Sequence, residues 1–165
     1  MLRYLPKSEL KKLCNMDKKI AIFPGSFDPF HKGHRYVVNV ALALFDEVII
    51  CVAVNPLKKG YFEPKARVSM IEAIFKDNPR VKVMSTMGLV ADVAKKNGAT
   101  VIVKGARHGS DFENEKAQSV INWELGKIPT VLIPTPAELA HISSTAIRNI
   151  LQTSANSELV RKMMC

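Results

Sequence analysis

At 165 residues, 47% hydrophobic and 24% charged, the chain has the size and composition of one globular domain with a sizeable core. It contains no run of about 18 apolar residues, and residues 1–19 lack the apolar centre and small-residue cleavage site of a secretory signal, so neither a membrane span nor export is expected. The net charge of +9 favours anionic partners, but no aromatic-plus-basic signature of a nucleic-acid module accompanies it, and nucleic acid is not an expected partner.

Residues 1–18 read as a basic N-terminal extension. The first 19 residues hold six Lys/Arg against two acids; Leu2, Leu5, Leu10 and Leu13 suggest an apolar helix face that Pro6 interrupts. From residue 19 to 165, strand-like and helix-like patterns alternate. Short Val/Ile-rich runs predict strands near 20–24, 48–54, 80–84, 100–103 and 130–133, as in parallel strands buried on both faces. Apolar residues at helical spacing predict helices near 33–45, 64–76, 88–97, 111–125, 143–152 and 156–163. Pro64 is a good first-turn residue, and Asn97-Gly98 is a helix-stop signal. The expected fold is α/β: a Rossmann-like, doubly wound parallel sheet of about five strands in a single domain. Cys14, Cys51 and Cys165 are far apart and show neither metal nor disulfide spacing, so the cytoplasm is the expected compartment.

In such sheets ligands bind beyond the carboxyl ends of the strands. Each polar cluster of interest follows a predicted strand. The first, Pro24-Gly25-Ser26-Phe27-Asp28-Pro29-Phe30-His31-Lys32-Gly33-His34, reads as strand, Gly/Pro turn, then helix start, where free N–H groups and the positive helix end face the turn. His34 in the first helical turn can donate to a phosphoryl oxygen; His31 lines the turn, and Asp28 is expected to pin the turn through its own side-chain bonds. Ser26 offers a hydroxyl and an N–H. Lys58 and Lys59 follow the second strand after Asn55-Pro56, where one of them is placed to bind an anion. Lys104-Gly105-Ala106-Arg107 sets two cations about a glycine that lets backbone approach a ligand, and Arg107 can grip phosphate through its fork. The acids of Asp111-Phe112-Glu113-Asn114-Glu115 favour a helix start, with Glu115 also able to hold a ribose hydroxyl. Ile142-Ser143-Ser144-Thr145 opens a helix with more hydroxyls than one cap needs, and Arg148 lies one turn on.

Together these landmarks resemble the bacterial phosphopantetheine adenylyltransferase family of the HxGH nucleotidyltransferase superfamily, over roughly residues 19–163. The resemblance implies transfer of AMP from ATP to 4′-phosphopantetheine, with Mg²⁺, to give dephospho-coenzyme A and pyrophosphate. It implies that His34 and Lys58 are catalytic. Ser26, Phe27, His34, Gly105, Ala106, Arg107, Glu115, Leu139, Ala140, His141, Ile142, Ser143, Ser144 and Thr145 would bind ATP. Ser26, Lys58, Val90 and Lys104 would bind the acceptor, and no residue is assigned as a direct metal ligand. A homo-oligomer, hexameric in the family, and coenzyme A as a feedback ligand are also implied. Lysine stands at 104 where arginine is usual, which keeps the charge and loses the fork. His31 and the run Ser143-Ser144-Thr145-Ala146-Ile147-Arg148 also resemble nicotinate- or nicotinamide-nucleotide adenylyltransferases, the alternative reading.

Overall fold

The computed structural model describes residues 18–153 and 157–165, so the predicted basic extension lies, apart from Lys18, outside the described residues. The elements run β1 (Ile20–Gly25), α1 (Lys32–Leu44), β2 (Glu47–Ala53), α2 (Pro64–Phe75), β3 (Val81–Thr86), α3 (Val90–Lys96), β4 (Val101–Ala106), α4 (Gly109–Gly126) and β5 (Thr130–Pro134). A short 3₁₀ turn (Ala137–Leu139), α5 (Ser144–Thr153) and α6 (Ser157–Met163) follow. The five strands form one sheet of order β3-β2-β1-β4-β5, every neighbouring pair parallel.

Successive strand side chains leave opposite faces of a sheet, and the core follows that alternation. Ala21, Phe23, Val48, Ile50, Val52, Val101 and Val103 pack on one face beneath Val37, Val38 and Ala41 of α1 and Ile71 and Phe75 of α2. Ile22, Ile49, Cys51 and Ile102 point to the other face and pack with Ala94 of α3, Ala99 and Ile128. This burial on both sides is why β2 reads as an unbroken apolar run in the sequence. A third cluster, Ile142, Ile147 and Met163, joins α5 to α6.

The local signals act as expected at several ends. Pro64 occupies the first turn of α2. Gly98 adopts φ +69 just beyond α3, a left-handed stop that glycine adopts without strain. β2 starts one residue earlier than its apolar run because Glu47 enters the ladder with a buried carboxylate, paired to Lys18 at 2.6 Å and Lys82 at 2.7 Å. The order reverses at β1, which pairs with β2 on one side and β4 on the other. The crevice of a doubly wound sheet opens at that reversal, beyond the strand ends.

Candidate active site

A cavity of about 390 Å³ lies at this reversal, over the ends of β1 and β4. Its wall comes from Ser26, Phe27, His31 and His34 in the β1–α1 turn, Lys104, Gly105 and Arg107 after β4, Asp111 and Glu115 of α4, Thr135 after β5, and Ser143, Ser144, Thr145 and Arg148 at the start of α5. The N-termini of α1 and α5 therefore meet at one wall, and both place positive dipole ends there.

The turn is shaped by an aromatic wedge. Phe27 is buried and takes φ +47, a region that residues other than glycine seldom occupy. Its ring meets Phe23 and His34 edge-on, with centroids 5.1 and 4.9 Å away, and Phe30 at 5.5 Å. A Cβ at Gly25 would lie 2.8 Å from that ring, so glycine is needed for Phe27 to fold back on its own strand. The His31 N–H donates to His34 Nδ1 at 3.2 Å, and the two imidazoles stack with centroids 3.7 Å apart. With Nδ1 accepting, the neutral His34 ring carries its proton on Nε2. Burial, then the neighbouring His31 and Arg107, hold the His34 pKa well below 6.5. Burial and Arg107 lower that of His31 to about 4. The pair therefore enters the site as neutral donors.

The cations are held by acids from α4. Arg107 Nε donates to Asp111 Oδ2 at 2.9 Å, its own N–H reaches the same oxygen at 3.2 Å, and Nη1 donates to the Ile142 carbonyl at 3.3 Å. Lys104 Nζ lies 3.0 Å from Glu115 Oε2, both side chains largely buried. The α4 acids thus do more than favour a helix start: they aim the two cations. Ser143 accepts the Ala146 N–H at 3.1 Å and acts as the α5 cap. Ser144 Oγ donates to the Pro29 carbonyl at 2.8 Å, and Arg148 Nη1 to the Asp28 carbonyl at 2.6 Å, so α5 is fastened to the β1–α1 turn.

A second cavity of about 770 Å³ adjoins the first. It is lined by Ser26, Asp28, Asn55, Lys58, Lys59, Gly60, Tyr61, Arg67, Arg148 and Gln152, among others; Ser26 and Arg148 border both. Of the residues expected to act, the first cavity brings together Ser26, Phe27, His34, Lys104, Gly105, Arg107, Glu115, Ser143, Ser144 and Thr145. Lys58 lines the second cavity instead. Ala106, Leu139, Ala140, His141, Ile142 and Val90 line neither. Ala106 ends the ladder opposite Pro134, and Leu139 and Ile142 pack in the third cluster. Val90 packs against the cluster beneath the sheet. Gly105 lines the first cavity and also makes a close approach to protein: a Cβ there would lie 2.8 Å from Val37 Cγ2, so the glycine lets α1 sit on β4. Asp28, expected to pin its own turn, instead accepts the N–H groups of Tyr61 at 2.7 Å and Phe62 at 2.8 Å from the next loop. Arg67 is not among the residues that the sequence singles out; Thr135 falls in the stretch 134–145, which the strand-end rule marks after the fifth strand.

A site of two neutral histidine donors, three cations and two helix starts is suited to aligning polyanions. The family model described as Cytidylyltransferase-like matches residues 22–150. Two proteins named phosphopantetheine adenylyltransferase are similar over most of both chains. The one from Phocaeicola vulgatus is 48% identical over 132 residues, covering 80% of this chain and 87% of its own. The one from Porphyromonas gingivalis is 41% identical over 136 residues, covering 82% and 89%. The chain belongs to the phosphopantetheine adenylyltransferase family. Among solved structures, a bifunctional NMN adenylyltransferase/ADP ribose pyrophosphatase from Francisella tularensis, complexed with AMP and Mn ion, superposes with a TM-score of 0.65 at 21% identity. That match covers 90% of this chain and 44% of the other, and it shows a shared fold. As expected of this family's Rossmann-like fold, the sheet is parallel and doubly wound. No helix among the described residues is long and apolar enough to cross a membrane.

Proposed function

We propose that the chain transfers the adenylyl group of ATP to 4′-phosphopantetheine, giving dephospho-coenzyme A and pyrophosphate. The observation that carries this reading is the pair of adjoining cationic cavities sharing Ser26 and Arg148, in a chain of this family. An oxygen of the acceptor phosphate attacks the α-phosphorus of ATP, a new P–O bond forms, and the bond to pyrophosphate breaks. The attacking phosphate is already an anion, so no general base is needed, and alignment with charge neutralisation supplies the catalysis.

In this reading the first cavity takes ATP. Ser143, Ser144 and Thr145, with the α5 N-terminus, meet its phosphates, and Glu115 is available to the ribose. The segment 139–142 and Ala106 act through backbone: the Ile142 carbonyl holds Arg107, and the Ala106 carbonyl accepts the Thr135 N–H at 2.8 Å. His34 Nε2–H donates to the α-phosphoryl oxygen as charge shifts onto it. The second cavity takes the acceptor, with Lys58 on its phosphate; Lys104 meets that phosphate from the first cavity, and the pantetheine arm reaches Val90 beyond both. Mg²⁺ arrives as part of the ATP complex. Asp111 and Glu115 already face Arg107 and Lys104, so the ion would be held through ATP, where it would offset phosphate charge, rather than by a carboxylate of this site. The reading carries with it residues 19–165 as the catalytic domain, a cytoplasmic location, a homo-hexamer and coenzyme A as a product that competes for the acceptor cavity.

The test is pyrophosphate release with ATP and 4′-phosphopantetheine, run beside nicotinate mononucleotide as acceptor and CTP as donor. Turnover with phosphopantetheine and ATP is expected. Turnover with nicotinate mononucleotide and none with phosphopantetheine would overturn it in favour of the alternative.

A further inference from the structure

Arg67 is 6% exposed and Asp28 7%, and together they join two loops that do not touch in sequence. From α2, the Arg67 guanidinium donates through Nη1 to the Ser26 carbonyl at 2.9 Å and through Nε to the Phe62 carbonyl at 2.8 Å. Asp28, 3.7 Å from Nε, receives the N–H groups of Tyr61 and Phe62 on its two oxygens. The rest of the loop bonds to itself: Leu57 N–H to Asn55 Oδ1 at 2.9 Å and Lys58 N–H to the Asn55 carbonyl at 3.1 Å. The β1–α1 turn, by contrast, is also secured by Arg148 and Ser144. If the Arg67 fork is lost, the loop is therefore the side that gives.

We infer that Arg67, with Asp28 as its counter-ion, is the positioning residue that sets Lys58 against Ser26 across the acceptor cavity. This rests on the proposed function for the identity of the acceptor. Arg67 acts through the loop, and its planar fork reaches two carbonyls that the single ammonium of lysine cannot span together. Arg67→Lys therefore keeps the buried charge and releases the loop. The expected result is a KM for 4′-phosphopantetheine raised about tenfold or more, the loss of one hydrogen bond to a charged group, with the KM for ATP within about twofold. Hydrogen exchange gives a reading independent of any substrate: the amides of Tyr61 and Phe62 exchange faster, and those of β1 do not. Gly60→Ala is the second variant, used where Arg67→Lys fails to fold. Its Cβ would lie 2.3 Å from Arg67 Nη2, so it displaces the guanidinium while leaving the ion pair's residues in place. A folded variant with unchanged Tyr61 and Phe62 exchange, or with both KM values rising together, overturns the inference. A wild-type chain without turnover on phosphopantetheine, but with faster loop exchange in the variant, overturns the acceptor assignment and leaves the positioning role standing.

Discussion

Replacing His34 by alanine tests the charge state of the site as well as its chemistry. The ring lines the first cavity, accepts the His31 N–H on Nδ1 and keeps its proton on Nε2. Alanine removes one donor aimed at developing phosphoryl charge, a loss of about 10²–10³ in kcat by analogy with a single oxyanion-hole donor. It also leaves the His31 N–H without its acceptor and removes ring contacts to Phe27 and Phe30, for a stability loss of about 1–3 kcal/mol. Rates are therefore compared well below the melting temperature. The informative quantity is the wild-type to His34→Ala ratio of kcat over pH 6.5–8.5, read from pyrophosphate release. The acceptor phosphate itself titrates near pH 6, but it does so identically for both enzymes and cancels in the ratio. Burial, then His31 and Arg107, hold His34 well below pKa 6.5, so it is already neutral across this range and the ratio stays flat. A ratio that declines as pH rises would mean that the imidazolium is the active form. That result, or near-normal turnover by the variant, would refute the role given to His34.

The same histidines make stability depend on pH. His31 has a folded pKa of about 4 against 6.5 unfolded, so between those values the unfolded chain binds more protons and stability falls as pH drops, by up to about 3 kcal/mol for this group; His31→Asn lowers the slope of the melting temperature against pH between 6.5 and 4 without abolishing it, since His34 adds to it with the same sign, and an unchanged slope would count against it. Gly105→Ala places a methyl 2.8 Å from Val37 Cγ2 and destabilises by about 1–3 kcal/mol in urea unfolding, and Val37→Ala added to it recovers most of that loss; a strictly additive double variant would show that the two sites do not touch. Cys51 is fully buried and its thiol is pushed up to about 11, so alkylation at pH 8 followed by peptide mapping leaves it unmodified until the chain unfolds.

The sheet was legible because each signal was local. Strands such as Val48-Ile49-Ile50-Cys51-Val52 are short enough, and apolar enough on both faces, that only a doubly covered sheet accommodates them. Pro64 and Asn97-Gly98 punctuate helices through their own backbone preferences, which need no distant partner. The strand-end rule likewise found most of the first cavity, since a residue following a parallel strand is delivered to that rim whatever its neighbours do. It could not say which rim residues share a cavity, and Lys58 went to the second one.

Residues whose roles depend on partners far away in sequence were not legible. Arg67 sits in the first turn of α2, where an arginine ordinarily faces water; its burial follows only from the nearness of Ser26 and Phe62, which the packing of α2 on β2 and β3 creates. Asp28 could be read as a turn-former because its preference is local, yet both its oxygens are taken by the next loop. The α4 acids fitted a dipole argument so well that their pairing with Lys104 and Arg107 was hidden, although Asp111 follows Arg107 by only four residues. These cases share a physical cause. Polyanion sites concentrate cations, like charges near one another need counter-ions when no ligand is bound, and the fold supplies carboxylates from whichever element faces them. An acid within a few residues of a strand-end cation is therefore better read first as that cation's holder. Asp111, four residues after Arg107, meets that description and is paired as it requires, whereas Glu115 stands eleven residues after Lys104 and reaches it only because α4 returns over β4.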